Sequence, residues 1–211
     1  MGLSGIRMLP HLTDTFLFHC IHSSFYCNHA MPLPANTDTD SSPSITLPEQ
    51  QIEIVRLDFA CPQHERDFLF LLDHYAHDPM GGGNGLSEFA RTNLWSHLAK
   101  VPGFAGWLAC RTGGQAVGLV NCFTGFSTFA ARPLLNVHDI VVHRACRGMG
   151  VSRQLLAAVE AHARAIGCCK LTLEVLEGNQ VARAAYQRFG FSGYELKPEA
   201  GRALFMEKKL P

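Results

Sequence analysis

The segment RACRGMGVS, residues 144–152, has the residues of an anion site. It lies between a strand-like run ending at His143 and an amphipathic run starting at Val151. A strand, a glycine-rich turn and a helix start leave backbone N–H groups unpaired, and the helix dipole favours negative charge there. Gly148 and Gly150 let an anion come close to the main chain, and Arg147 can add a charge-assisted contact. Met149, Val151 and Ser152 complete the loop. The chain has no GxxxxGK[ST] and no full GxGxxG, which disfavours a P-loop nucleotidase and a dinucleotide fold. Two glycines alone would better suit a structural strand–helix turn.

Several titratable groups flank this loop. His138 and Asp139 precede it on the strand-like run LLNVHDIVVH, residues 134–143. Regular alternation predicts His138 on one face with Ile140 and Val142, and Asp139 on the other with Val137 and Val141. Glu174 follows on the next strand-like run, and Tyr186 shares a helix face with Ala182 and Phe189. Taken alone, Tyr186 and His138 fit the core as readily as a site. Asn179 stands where a helix N-cap belongs.

The chain has to position these groups with 211 residues, 47% of them apolar and 17% charged. That suits one globular domain, with or without a tail. Formal net charge is zero, which argues against a dedicated nucleic-acid binder, and no run reaches the ~18 apolar residues of a membrane span. Eight irregularly spaced cysteines without any CxxC point to buried thiols in a reducing, cytoplasmic setting. Residues 1–50 hold one cation and four anions, and residues 31–50 have linker composition. They are expected to be a disordered leader, with 51–211 as the domain, and Met31 is a candidate start. His19, Cys20, His22, Cys27 and His29 match no zinc spacing, so no metal is expected.

Periodicity predicts strands over 51–59, 104–111, 115–129, 134–143, 171–176, 191–196 and 202–209. It predicts helices over 62–77, 86–100, 151–166 and 180–189, with a hairpin turn at 112–114 and a flexible connection at 79–85. The order is that of a mixed α/β domain.

Arg147-x-x-Gly150-x-Ser152, followed by Asn179-x-x-Ala182-x-x-x-Tyr186-x-x-x-Gly190-Phe191, resembles the two signatures of the GNAT acyl-CoA N-acyltransferase superfamily. The resemblance covers about residues 51–211. Ser152 departs from the usual Gly or Ala, and is small enough to be tolerated. The resemblance implies a mostly antiparallel central sheet flanked by helices, with a splayed strand pair at an acyl-CoA cleft. It implies acetyl transfer from acetyl-CoA to a primary amine by direct attack in a ternary complex. The alternative is a catalytically weak acyl-CoA-binding module acting as a sensor.

Such a transfer needs a neutral amine, a donor for the developing oxyanion and a proton for the departing thiolate. The resemblance gives the main chain of Ile140, Val141 and Val142 to the pantetheine arm. It gives the loop 147–152 to the phosphates and the acid role to Tyr186. Asn179 either contacts the cofactor arm or caps its helix. The candidate bases are His138, Asp139 and Glu174: His138 comes first, Asp139 faces the other way, and pairing with a cation is the commoner fate of a carboxylate such as Glu174. Polyamine acetyltransferases, which the stretch 135–142 resembles, carry glutamate where His138 stands, and that departure puts polyamine specificity in doubt. Asp73, His74, His77 and Asp78 either meet a cationic acceptor or are merely solvated. A small-molecule or peptide amine is the expected partner, with no nucleic acid or membrane, and a homodimer is compatible.

Overall fold

The computed structural model describes residues 51–194, Glu199, Gly201 and residues 203–210. The leader and its His and Cys residues lie outside these, as does Arg202. Five strands form one sheet in chain order: β1 (Ile52–Arg56), β2 (Phe104–Arg111), β3 (Ala116–Ser127), β4 (Arg132–Val142) and β5 (Leu171–Leu173). The first three pairings are antiparallel and β4–β5 is parallel. Helices α1 (Pro62–Ala76) and α2 (Glu88–Leu98) connect β1 to β2, α3 (Val151–Ala165) connects β4 to β5, and α4 (Gln180–Phe189) follows.

Local chemistry explains these boundaries. Pro62 opens α1, where its missing N–H costs nothing, and the Ser87 hydroxyl caps α2 by accepting from Ala90 N–H. Gly113 and Gly114, both at positive φ, turn the β2–β3 hairpin. The α3 stripe of Val151, Leu155, Leu156, Val159 and Ala163 is buried. Burial of each large aliphatic side chain there is worth roughly 1.5–3 kcal/mol. Gly118 lets this helix come close: a Cβ there would lie 3.0 Å from Val151 and 3.1 Å from Leu155.

The sheet separates two apolar cores. Val120, Cys122, Leu135 and Val137 pack with α3, and Tyr186, Phe189 and Phe191 lean against that core. Leu108, Leu119 and Val141 pack with Phe68, Leu71, Trp95 and Leu98 of α1 and α2.

Strand β4 departs from regular alternation. Asn121 pairs with Asp139 but Cys122 pairs with Val137, so His138 is an extra residue in a β-bulge. The bulge reverses the faces along the strand. Val137 enters the α3 core, while Val141 enters the α1–α2 core and Ile140 leans on the α3 side. The expected grouping of Asp139 with Val137, and of His138 with Ile140, is therefore corrected. Asp139 shares the α1–α2 face with Val141.

The end of the chain also differs from the periodicity reading. β5 stops at Leu173, and residues 191–194 and 203–210 carry no strand. Phe191 anchors singly against the α3 core, whereas Leu204, Phe205 and Met206 are exposed.

Candidate active site

Strand β5 pairs with β4 only from Leu135 to Val137, so toward Val142 β4 is paired with β3 alone and its outer edge is open. His143 donates its N–H to the Val117 carbonyl of β3. Antiparallel alternation then turns the amides of Ile140 and Val142 away from β3, onto this open edge. The splayed strand pair expected from the sequence is present.

The edge leads into the glycine loop. A short 3-10 turn (Arg144–Cys146) is followed by Arg147 in extended conformation, then Gly148 at φ 82° and Gly150 at φ 76°. Gly150 is the N-cap of α3, and no side chain caps that helix. A Cβ at either glycine would meet no protein atom within 4 Å. The first turn of a 15-residue helix thus presents open N–H groups beside unfilled space. That geometry fits a phosphate group.

Arg147 is engaged elsewhere. Its Nη2 donates to Asp78 Oδ2 at 2.9 Å and its Nε to the Val142 carbonyl at 3.2 Å. The Met80 N–H and this guanidinium hold the Asp78 carboxyl below its ordinary range. The His74 and His143 rings stack nearby, 4.6 Å between centroids. Burial lowers the His74 pKa, and the charges of His143, Arg144 and Arg147 lower it further.

Tyr186 leans on the α3 core from α4, where burial and then Tyr75 push its pKa to about 12. Asn179 caps α4, its Oδ1 accepting from Ala182 N–H at 3.1 Å. Glu174 is exposed, and its partner is an amide: Asn136 Nδ2 lies 3.3 and 3.4 Å from its two oxygens. His138 is exposed rather than a core histidine, its ring edge-on to Phe123 at 5.3 Å. His77 Nδ1 lies 2.8 Å from the Asp73 carbonyl, and Asp73 pairs with Arg91 at 2.8 Å.

Two groups, Asn121 and Tyr75, escape the sequence reading. Asn121 is buried on β3 and donates from Nδ2 to Asp139 Oδ2 at 3.2 Å. The Asp139 carboxylate helps raise the pKa of Tyr75, after burial, and of the Cys122 thiol, which burial takes to about 12. Tyr75 of α1 therefore stands within electrostatic reach of both Asp139 and Tyr186. The available signal was the lone amide in the apolar run GLVNCF, residues 118–123. Among the described residues no His, Cys, Asp and Glu group could hold a metal.

A mostly antiparallel sheet whose last pair splays beside a glycine loop at a helix start defines an acyltransferase type of α/β fold. Residues 68–191 match the Acetyltransferase (GNAT) family, and the chain belongs to it. It is 40% identical over 55 residues to the uncharacterized N-acetyltransferase YycN of Bacillus subtilis (strain 168). That match spans 26% of this chain and 35% of the relative, so about a third of the relative is covered. Among solved structures, the aminoglycoside N-acetyltransferase AAC(6')-Iy with a CoA-based bisubstrate analogue aligns at a TM-score of 0.60 and 20% identity. The alignment covers 76% of this chain and 99% of that one. A ribosomal-protein-alanine N-acetyltransferase of Brucella melitensis biovar Abortus 2308 aligns at 0.52 and 21% identity, over 70% and 99%. No described helix is long and apolar enough to cross a membrane.

Proposed function

We propose that the protein is an N-acetyltransferase that moves an acetyl group from acetyl-CoA to a primary amine by direct attack in a ternary complex. The observation that carries this reading is the open edge of β4 leading into an uncapped helix start. One element offers main-chain pairing for an extended amide-bearing arm, and the next offers N–H groups for its phosphates. When bound, acetyl-CoA supplies the thioester.

The residues then divide the work. The outward amides of Ile140 and Val142 pair with the pantetheine arm, with Val141 anchoring the strand in the core. The main chain from Gly148 to Ser152 receives the pyrophosphate, and Arg147 exchanges Asp78 for it. Tyr186 stays protonated across the neutral range, since its pKa lies near 12, and can donate to the departing sulfur. His138, exposed on the bulge, takes a proton from the amine. Glu174 and Asn136 line the same face.

The test is calorimetry with CoA, followed by turnover with acetyl-CoA against an amine panel, reading free thiol. Binding together with amine-dependent thiol release is expected. CoA binding without amine-dependent release from any primary amine would leave a binding module.

A further inference from the structure

The Nε2 atom of His74 on α1 is buried and has no hydrogen-bond partner. The ring stacks on His143 at 4.6 Å between centroids and 27° between planes, and Phe70 stacks on His143 as well. His143 leads from β4 into the turn before the glycine loop. Among the described residues, three charged groups oppose protonation of His74 after burial does: His143, Arg144 and Arg147. Asp78 alone favours it, and the neighbouring Tyr75 is neutral, since burial raises its pKa. Asp78 is already engaged: its Oδ2 accepts from Arg147 at 2.9 Å and its Oδ1 from Met80 N–H at 3.0 Å. A carboxylate that carries an ion pair shows a nearby imidazole little net charge. The pair is open to exchange, with the Arg147 side chain 52% exposed.

We propose that diphosphate binding at the glycine loop is coupled to uptake of a proton by His74, with Asp78 as the group that changes partners. The coupling rests on the reading above in which Arg147 leaves Asp78 for the pyrophosphate. Two changes then act on the ring in the same direction. The phosphate charge cancels that of Arg147, and the carboxylate of Asp78 acts on the ring without its cation. The neutral imidazole takes one proton from solvent, and the imidazolium balances the carboxylate that Arg147 has left. One ring of the stack is charged, because two imidazolium rings at 4.6 Å repel each other. His74 is thus a positioning residue for the cofactor. By linkage, affinity for the diphosphate rises as pH falls through the range where the bound protein holds more protons than the free one.

The probe is 3′-dephospho-CoA, which keeps the diphosphate and lacks the phosphate monoester that would itself titrate near ~6. Calorimetry of the full chain near pH ~6, in two buffers of different ionisation heat, counts the protons taken up. The native protein should take up about half a proton on binding, and His74→Gln and Asp78→Asn close to none. Equal uptake in the native protein and His74→Gln overturns the proposal, as does binding without uptake by the native protein. The exchange is also read without ligand, from the histidine ring protons by NMR, with His74 assigned through its backbone. Arg147→Gln should make His74 hold its proton about three- to tenfold more tightly, and adding Asp78→Asn should reverse most of that gain. An unmoved His74 in Arg147→Gln overturns the proposal, and decides the matter if His74→Gln fails to fold. Absence of any binding of 3′-dephospho-CoA overturns the phosphate reading of the loop and the coupling with it. Failure of the coupling alone looks different: the probe binds and no proton follows.

Discussion

Arg147 and Asp78, 69 residues apart, form an ion pair of 2.9 Å that ties the glycine loop to the segment after α1. Asp78 also caps the 3-10 turn Pro79–Gly81 through Met80 N–H, so one carboxylate serves both segments. The pair places a negative charge beside the loop proposed to receive the phosphates and keeps Arg147 occupied. Asp78→Asn keeps the cap acceptor and removes the charge. CoA affinity should rise about two- to fivefold, the range of a partly exposed pair. Calorimetry at low and moderate salt checks this, and the gain should shrink with salt. A fall in affinity would instead make the pair an ordering device for the loop.

Gly150 is the N-cap of α3 at φ 76°, with open space where a Cβ would point. Gly150→Asp should fold, because Asp tolerates the left-handed region better than most residues. It would put a carboxylate where the phosphates are proposed to bind. CoA affinity should fall about 100-fold or more while the melting temperature drops little. A folded variant with native affinity would remove the loop from the site.

Tyr186→Phe keeps the ring packed and deletes the hydroxyl. Turnover at saturation should fall about 10- to 100-fold, the lower part of the range for a general acid, because a thiolate already leaves fairly well. CoA affinity should hold. The native pKa of about 12 means that the hydroxyl loses its proton only in strong alkali. An alkaline fall in kcat centred well below pH 10 would therefore belong to another group.

How far the sequence showed this architecture depends on whether the signal was local. Helices α3 and α4 end where Ala165 precedes Ile166-Gly167 and where Gly190 follows Phe189, as periodicity and the glycines indicate. Asn179 likewise announces its cap. The bulge at His138 does not show, because one inserted residue leaves every short stretch of β4 looking alternating. Its position depends on the register with β3, which is a long-range property. The same holds for Arg147 and Asp78, each plausible as a free charge until the chain brings them together. Apolar alternation overstated the sheet over the described residues 191–194 and 203–209, with 195, 196 and 202 outside them: Phe191 buries one ring, and the exposed Leu204 and Phe205 have no described core to enter.

His74 titrates in a crowded place. Burial and then the charges of His143, Arg144 and Arg147 lower its pKa in the folded chain, with Asp78 opposing. Between that lowered value and ~6.5 the unfolded chain binds more protons, so the contribution to stability is full above ~6.5 and is lost as pH falls. Burial lowers His162 as well, with Arg56 adding to it. The melting temperature should therefore drop from pH 7.5 to 5.5, and His74→Gln should reduce the drop. An undiminished drop in that variant would assign the acid sensitivity to His162 and the carboxylates.

His138 stands exposed on the bulge next to Asp139. An alkyl ammonium has a pKa near ~10, so most of the acceptor arrives charged and must lose a proton before it attacks. An imidazole, unperturbed near ~6.5, suits the task. The ring of His138 is exposed and rests on Phe123, so it reaches solvent and can pass the proton on. If His138 is the base, kcat should rise with pH on the acid side of the profile, and His138→Ala should flatten that limb. Acetyl-CoA affinity should be the same in both proteins, since the side chain lies off the outward edge formed by Ile140 and Val142. A limb that survives in His138→Ala would move the proton to Glu174, whose carboxylate Asn136 holds on the neighbouring strand end, or to a chain of water molecules.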